Sequence, residues 1–437
     1  MKSIFLAVGL AAMAGGVAAQ QAASACDTTQ NRHCSDVRDL LARPEIQRAM
    51  RFIDEDDART MRDLIRLTEI PAPPFGEEAR GRAWAALIRE AGADSVWTDA
   101  EGNVLALRRG RTPGRTVLIS GHLDTVFPVG TDVTVKQKGD TLFAPGIGDD
   151  TRGIVAVLAV LRALEAGDVH TAADLLFVAT VGEEGLGDLR GVKHLFRDGG
   201  PRIDAFISID GSDDSRIVNG GLGSRRYRVT YEGPGGHSWG AFGTANPVHA
   251  LGRAIRIFDE AANVLTSSGP RTSYNVGRVG GGTSVNSIAF EAWMEVDMRS
   301  ESQASLLVID SVFRASAQAA LVEQNALRRR DTPLTVRVEL VGDRPPGETA
   351  PGSPFVLRAD AVTRALGLRP SLQISSTDSN IPISKGVPAV TIGGGGRAGE
   401  SHAPGEWWMN QDGPRGIQRA MLILVAEAGI ANRPASD

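Results

Sequence analysis

Cysteine is almost absent from this 437-residue chain: only Cys26 and Cys34 occur, both near the N-terminus. A catalytic thiol or cysteine-ligated zinc is therefore excluded for the rest of the chain, and any metal must be bound by histidine and carboxylate side chains. Aromatic residues make up 5% of the sequence, too few to favour a sugar-stacking site. The formal net charge is -5 and no basic stripe is visible, so we expect no nucleic-acid partner.

Long apolar runs are also lacking, apart from one at the N-terminus. Lys2 precedes a short apolar run over residues 4–17, and the small residues 17–19 are typical of a signal-peptidase cleavage site. The run is too short to span a bilayer. We therefore predict a signal peptide at residues 1–19, an N-terminal extension at 20–35, a periplasmic or secreted location and no membrane span.

The two cysteines follow the predicted cleavage site, and two interpretations of them are open. In an oxidising compartment Cys26 and Cys34 would close a small disulfide loop. Alternatively, residues 23–26 (ASAC) loosely resemble a lipobox, which would make Cys26 a lipid-attachment site. The lipobox interpretation is the weaker one, because this segment lies well past the apolar run and lacks the usual leucine.

Apolar strand patterns alternate with helix patterns in two parts of the chain. This alternation predicts an α/β fold with a mixed, largely parallel sheet. Helical segments also occupy residues 36–70 and 77–91. The predicted strands cover residues 115–120, 174–180, 205–209 and 389–393, and the helices between and after them cover residues 153–164, 191–197, 355–366 and 414–428.

The pattern between residues 223 and 344 is different. Four segments alternate polar and apolar side chains, as strands with one solvated face do, and amphipathic helices separate them. These strands are predicted at residues 225–231, 272–279, 287–298 and 334–341, and the helices at 247–264 and 305–324. Because the chain is too long for one ordinary core, we predict an α+β sandwich at 223–344 inserted into a domain made of residues 36–222 and 345–437.

Histidine and acidic residues lie just past the end of a predicted strand or at the mouth of a loop at several places. The carboxyl ends of strands in an open α/β sheet share one edge, so such residues converge on a crevice. Each alone has an ordinary explanation, since paired acids are usually solvated and Asp-Gly is a common turn. Their recurrence favours a metal site of imidazole and carboxylate ligands, which suits zinc. The segments are GHLD at 121–124, GDD at 148–150, GEEG at 182–185, IDG at 209–211 and SH at 401–402.

The same segments belong to longer motifs in a recognisable order. With them the chain resembles the dizinc exopeptidase family that includes carboxypeptidase G, peptidase T, bacterial dipeptidases, aminoacylases and succinyl-diaminopimelate desuccinylase. One departure is Thr151-Arg152, where the family often has lysine and then a small residue; we expect no effect on ligation. The matching stretches are GHLDTV at 121–126, GIGDDTRGI at 146–154, VGEEGLGDLRG at 181–191, SIDG at 208–211, GPGGHSWG at 233–240 and SHAPGEW at 401–407.

The resemblance implies a zinc-peptidase-like catalytic domain that binds two Zn²⁺ ions per subunit, with Co²⁺ or Mn²⁺ as substitutes. Asp149 would bridge the two ions and would form a cis peptide bond with Asp150. The remaining ligands would be His122 and Asp210 on one ion, and Glu184 and His402 on the other.

Further roles follow from the same resemblance. Glu183 would be the general base that takes a proton from water and passes it to the leaving nitrogen. Asp124 would orient a histidine ligand through its other ring nitrogen. The inserted domain would be a lid and dimerisation domain, in which His237 stabilises the oxyanion, often in the site of the partner subunit of a homodimer. Arg299 would bind a substrate carboxylate and Asn286 would assist it.

These features predict a zinc-dependent exopeptidase that acts on short peptides. An N-acyl-amino-acid amidohydrolase with the same mechanism stays open, because spacing does not reveal the pocket residues. A non-catalytic metal- or peptide-binding protein would be free to lose Glu183, and a carbohydrate hydrolase would not require His122 and His402. The glycine run at 393–396 lacks the Lys-Ser/Thr of a phosphate loop, so we interpret it as a flexible loop lining the substrate pocket.

Overall fold

The structure is a computed structural model that describes Cys26 and residues 31–112, 114–330 and 332–431. The predicted signal peptide lies outside the described residues. Cys26 and Cys34 form a disulfide, with their Cα atoms 5.6 Å apart. The first of the two interpretations of these cysteines is therefore confirmed, and neither sulfur is free for lipid attachment.

Several of the described helices begin where the local sequence provides a start signal. Pro44, Pro247 and Pro354 each lie in the first turn of a helix, where a missing N–H has no cost. The side chains of Asn246 and Ser353 accept hydrogen bonds from the first turns of their helices. The bounds are α1 His33–Ala42, α2 Pro44–Glu55, α3 Asp57–Thr68, α4 Glu78–Glu90, α5 Arg152–Gly167, α6 Arg190–Leu195, α7 Pro247–Thr266, α8 Gln303–Ala326, α9 Pro354–Ala365, α10 Asn380–Ser384 and α11 Gly413–Ala428.

The described strands include those expected from the apolar and alternating patterns. The segment predicted as one strand at 287–298 is divided in two. Two short hairpins were missed because their three-residue strands carry no periodic signal. The bounds are β1 Ser95–Thr98, β2 Val104–Arg108, β3 Thr116–His122, β4 Lys136–Lys138, β5 Thr141–Phe143, β6 Asp174–Thr180, β7 Ala205–Ile209, β8 Arg216–Gly221, β9 Gly223–Glu232, β10 Gly236–His237, β11 Thr272–Gly281, β12 Ser287–Ile288, β13 Glu291–Ser300, β14 Thr335–Arg344, β15 Gly347–Glu348, β16 Ser371–Ser375, β17 Ala389–Ile392, β18 Arg397–Gly399 and β19 Trp407–Met409.

The largest sheet in the described chain has the strand order β1-β2-β6-β3-β7-β17-β8-β15, and β16 also pairs with β8. Strand β3 is parallel to β6 and to β7, and β7 is parallel to β17, whereas the outer pairs are antiparallel. The predicted α/β fold with a mixed sheet and a parallel centre is confirmed. A smaller antiparallel sheet has the order β18-β19-β5-β4.

Contacts along the chain divide it into two compact units. Unit 1 comprises Met1–Asn219, Thr349–Gln373 and Thr377–Asp437, and unit 2 comprises Gly220–Glu348 and Ile374–Ser376. In unit 1, helix α5 is buried along nearly its whole length and packs on β3 and α11. The apolar composition of α5 follows from this burial, because a helix surrounded by protein needs no polar face.

Unit 2 contains a four-stranded antiparallel sheet in the order β11-β13-β9-β14, together with α7 and α8. Its core places the ring of Phe313 against those of Tyr227 and Phe258. Helix α8 is the one described helix that is long and apolar enough to cross a membrane by length and composition. Within unit 2, however, its residues Leu306 and Phe313 are buried in this core, so the signal is weak.

Candidate metal centre

The candidate ligands of unit 1 lie at the ends of adjacent parallel strands. His122 ends β3 and is paired with Thr180, the last residue of β6, so the following Glu183 and Glu184 lie at the same sheet edge. Asp210 follows β7, the other parallel neighbour of β3. The parallel register therefore brings together side chains that are far apart in sequence.

Asp149 lies between two histidines. Its Oδ1 is 3.1 Å from Nε2 of His122, and its Oδ2 is 3.1 Å from Nε2 of His402. Oε1 of Glu184 is 2.8 Å from the same nitrogen of His402. Ligand atoms of His122, Asp149 and Glu184 all lie within 4.8 Å of one another. Each oxygen of one carboxylate thus faces a different imidazole, which is the arrangement expected of a carboxylate that bridges two cations.

The peptide bond between Asp149 and Asp150 is cis, as the resemblance implied. The carboxylate of Asp150 accepts hydrogen bonds from the backbone N–H of His122 at 3.0 Å and from that of Gly153 at 3.0 Å. Asp150 therefore joins the end of β3 to the first turn of α5. Burial raises the pKa of Asp150 well above its usual value.

The charges of the cluster perturb one another. Burial alone would lower the pKa of His122, but its contacts with Asp124 and Asp149 outweigh this and raise it well above the usual value. Hydrogen bonds with Asp149 and Glu184 raise the pKa of His402 to about 10. Although burial would raise the pKa of Asp149, its contacts with both histidines lower it. These shifts reflect carboxylates and imidazoles packed closely enough to share a cation.

Asp210 is the ligand candidate with the fewest direct contacts. Burial and, to a smaller extent, the neighbouring charge of Asp149 raise its pKa to about 6. Glu184 also acts on Asp210 as a like charge. Asp210 therefore belongs to the same electrostatic cluster, and the excess of carboxylates over imidazoles there would be neutralised by bound cations.

Asp124 is fully buried, and its carboxylate accepts hydrogen bonds from the main chain. Oδ1 accepts a hydrogen bond from the backbone N–H of Glu183 at 3.0 Å, and Oδ2 accepts one from that of Glu184 at 2.8 Å. The ring Nδ1 of His122 is closer to the carbonyl oxygen of Asp124, at 3.1 Å, than to Oδ1, at 3.6 Å. Asp124 therefore orients both the histidine and the loop that carries Glu183 and Glu184.

Glu406 is a buried acid that the sequence analysis missed. Its Oε1 accepts hydrogen bonds from the backbone N–H groups of Gly148 and Asp149, both at 2.9 Å, and its Oε2 accepts one from Gly146 at 2.7 Å. Burial raises the pKa of Glu406 to about 7. The motif SHAPGEW contained this residue, but no pattern in the sequence distinguished it from an exposed acid.

The glycine run at 393–396 is not explained by flexibility, so that interpretation was wrong. Gly393, Gly394 and Gly395 are buried. A Cβ atom on Gly393 would come within 2.3 Å of the Asp213 backbone, and one on Gly396 within 2.5 Å of the Trp408 ring. Close packing therefore requires glycine here, and Gly395 and Gly396 also adopt positive φ.

In unit 2, His237 and Asn286 are neighbours. His237 pairs with Ser287, and the backbone N–H of Ser238 donates to the carbonyl of Asn286 at 2.9 Å. Nδ1 of His237 accepts hydrogen bonds from the backbone of Trp239 and of the next residue, at 3.2 and 3.3 Å. In the neutral imidazole the proton is then on Nε2, and His237 as a residue is exposed, so this N–H can act as a donor.

Arg299 lies elsewhere in unit 2. It is near one end of β13, and its Nε donates to Asp297 at 2.7 Å. His237 follows β9 by a short turn, and Glu232 at the end of β9 pairs with Glu291 at the opposite end of β13. Eight positions separate Glu291 from Arg299, which is about 27 Å in an antiparallel strand. Unit 2 thus does not bring Arg299 together with His237.

Comparison with known proteins decides the family. Residues 118–425 match the model of Peptidase family M20/M25/M40. The chain belongs to this family. The M20 chain is 27% identical, over 64% of its length and 73% of the relative's, to a succinyl-diaminopimelate desuccinylase of Leptothrix cholodnii.

Solved structures share the fold of this M20 protein. The aminopeptidase PepT of Bacillus cereus superposes with a TM-score of 0.67 at 19% identity, covering 85% of this chain and 99% of the other. The dipeptidase Dug1p of Saccharomyces cerevisiae gives a TM-score of 0.69 at 15% identity, covering 88% and 99%. Family membership makes the protein a hydrolase of the peptidase and amidohydrolase type, and the cluster around Asp149 fits the metal dependence of that family.

Proposed function

We propose that this M20 enzyme is an exopeptidase that hydrolyses the amide bonds of short peptides with two zinc ions. The observation that carries the proposal is Asp149, whose two carboxylate oxygens face His122 and His402 separately. Asp210 would join His122 on one ion, and Glu184 would join His402 on the other. The imidazole and carboxylate donor set suits zinc, and Co²⁺ or Mn²⁺ would substitute.

Glu183 is the proposed general base. When bound, the two ions would activate a water molecule and polarise the scissile carbonyl. Glu183 would take the proton of the attacking water and deliver it to the leaving nitrogen. Its position is supported by the hydrogen bond from its own backbone N–H to the buried carboxylate of Asp124, which anchors the loop. Asp124 would thereby hold the base beside the ligand Glu184.

Glu183→Gln tests this assignment. The amide is isosteric but has no basic oxygen, so kcat for a dipeptide should fall by at least about 10²- to 10⁴-fold while two zinc ions still bind. Elemental analysis of the purified variant gives the metal content. Retained activity would exclude Glu183 as the base. Activity that survives EDTA would exclude the metal mechanism altogether.

His237 and Asn286 would complete the site from a partner subunit. Arg299, proposed to bind a substrate carboxylate, is about 27 Å along β13 from the end near His237. One unit 2 would therefore not present both groups to the same scissile bond, which supports a homodimer in which His237 acts in trans. Its Nε2–H would donate to the developing oxyanion.

Mixing two inactive variants tests the trans arrangement. His237→Ala and Glu183→Gln homodimers should each be inactive. After subunit exchange, half of the dimers would be mixed, and each would have one complete site, so activity should recover to about a quarter of the wild-type value. A mixture that stays inactive although mixed dimers form would show that His237 does not act in trans.

A second candidate is an N-acyl-amino-acid amidohydrolase with the same residues. It is favoured by the similarity to a desuccinylase over 306 residues. A panel of dipeptides with free and blocked termini, compared with N-acetyl and N-succinyl amino acids, separates the two. Higher kcat/KM for the acyl-amino acids would replace the exopeptidase proposal but would keep the same metal centre.

Export is the remaining part of the proposal. Residues 1–19 would be a signal peptide that directs the enzyme to the periplasm or the exterior. The Cys26–Cys34 disulfide supports this, because disulfides persist in oxidising compartments. N-terminal sequencing of the exported protein tests it: a mature chain beginning at Gln20 is expected, and an intact Met1 would contradict it.

A further inference from the structure

Arg152 is the unusual residue of the GIGDDTRGI motif, and it is fully buried. It begins α5, three residues after Asp149. Its Nε donates to the carbonyl of Gly394 and its Nη2 to that of Gly413, both at 2.9 Å. The guanidinium carbon lies 4.8 Å from the centroid of the Trp408 ring. One side chain thus joins α5 to three other parts of the chain.

Two of these contacts hold the base of the β18–β19 hairpin, whose loop carries His402. Gly394 and Gly395 lie two to three residues before β18, and Trp408 lies in β19, opposite Ala398. Nε1 of Trp408 donates to the carbonyl of Gly395 at 3.0 Å. Arg152 and Trp408 therefore fix both strands of the hairpin at the end away from the loop.

The loop end of the hairpin is bonded to the turn that carries Asp149. Glu406 accepts hydrogen bonds from the backbone N–H groups of Gly146, Gly148 and Asp149. The turn that carries Asp149 is thus bonded to the loop end of the hairpin through Glu406 and to its base through Arg152. The turn and the hairpin are thus connected at two points, and Asp149 and His402 both lie between these two connections.

The position of His402 depends on these two connections. Its side chain is 53% exposed, and its backbone has a positive φ of 66°. The ring nitrogen Nε2 contacts the carboxylates of Asp149 and Glu184, which are its proposed co-ligands. Since an exposed side chain is not confined by packing, the hairpin backbone determines where the imidazole lies before a metal binds.

We propose that Arg152 is a positioning residue for one of the two metal positions. By clamping the hairpin base to the turn that carries Asp149, it sets the spacing between Asp149 and His402. The inference rests on the proposed two-metal function. It predicts that loss of Arg152 weakens the position that uses His402 and leaves the position that uses His122 unchanged.

Zinc titration of the metal-free full-length protein by calorimetry, with Co²⁺ absorption spectra as a second readout, tests the proposal. Arg152→Met keeps a long apolar side chain but removes both hydrogen bonds. The affinity for one of the two equivalents should fall about 10- to 100-fold, as for the loss of residues that orient ligands. Arg419→Met is the matched control, since Arg419 is equally buried and donates to Thr363 and to the carbonyl of Arg216.

The outcomes separate the inference from the function on which it rests. If folded Arg152→Met binds two equivalents of zinc with wild-type affinities, the role proposed for Arg152 is overturned, and the two-metal centre is not affected. An equal weakening in Arg419→Met would overturn it as well, since the effect would then be general destabilisation. A wild-type protein that binds fewer than two equivalents would contradict the proposed function instead. If circular dichroism shows Arg152→Met unfolded, Trp408→Phe is the second variant, since it removes the bond to Gly395 and reduces the ring that packs on Arg152. It should weaken the same position more mildly, and unchanged affinities there would overturn the proposal.

Discussion

The two histidines of the metal centre are held in different ways. The side chain of His122 is 3% exposed, ends a central strand of the large sheet, and has its backbone N–H bonded to Asp150 and its ring Nδ1 near Asp124. The side chain of His402 is 53% exposed and lies in the loop of a small hairpin. One half of the centre is thus part of the core, whereas the other half depends on how a surface hairpin is anchored.

This difference between the two histidines predicts different effects on the stability of the fold and on metal binding. Contacts in the core half are made by buried groups whose loss leaves other buried groups unsatisfied, so they contribute to folding. In the hairpin half the side chain of His402 is half exposed, so its own contacts contribute chiefly to the order of the site. The groups that anchor the hairpin are buried and contribute to folding as well. Substitutions in the two halves should therefore differ in which property they change.

The largest contrast is expected between His122→Ala and His402→Ala. Both should lower kcat/KM by about 10³-fold or more, because each removes a ligand from the proposed catalytic pair of ions. In EDTA-treated protein, urea unfolding should show His122→Ala destabilised by roughly 2 kcal/mol or more, since a buried cavity lined by carboxylates remains. His402→Ala should be destabilised less, because its side chain is half exposed and solvent screens its contacts with Asp149 and Glu184. Equal destabilisation by the two would remove the distinction between core and hairpin.

Asp124 sharpens the comparison within the core half. Asp124→Ala leaves the buried N–H groups of Glu183 and Glu184 without acceptors, at roughly 1–3 kcal/mol each. Asp124→Asn keeps one acceptor oxygen and should lose about half as much. Guanidinium unfolding of both metal-free variants measures the difference. If Asn and Ala were equally destabilising, the charge of Asp124 would matter rather than its two hydrogen bonds.

Much of the core half of the metal centre can be predicted from the sequence. The apolar runs that become β3, β6 and β7 are unambiguous, and the residues after them converge because parallel strands end at one edge. His122, Glu184 and Asp210 lie at these strand ends, whereas Asp149 follows none of these strands. The assignment of all four as ligands came from the resemblance of their motifs to the dizinc family. The disulfide was one of two open interpretations, because spacing alone did not decide between pairing and lipidation of Cys26.

Less of the hairpin half can be predicted from the sequence. Strands β18 and β19 have three residues each, too few for a periodic pattern. Glu406 and Arg152 look like ordinary surface charges in sequence, and only the fold reveals that the main chain surrounds them. The glycines at 393–396 were interpreted as flexible because the constraint on three of them is not visible in the run itself. A Cβ on Gly393, Gly395 or Gly396 would lie within 2.5 Å of residues that only the fold brings close.

The smallest expected effect concerns these glycines and tests the anchoring of the hairpin directly. Gly396 and Gly386 both have positive φ, of 83° and 76°. A Cβ atom on Gly396 would lie 2.5 Å from the Trp408 ring, whereas one on Gly386 would meet nothing within 4 Å. Gly386→Ala should therefore cost only the backbone strain, about 1 kcal/mol in urea unfolding. Gly396→Ala should cost about 1–3 kcal/mol more, because the ring that packs on Arg152 must move. Equal costs would mean that the hairpin base tolerates movement, and the clamp by Arg152 and Trp408 would then not fix the position of His402.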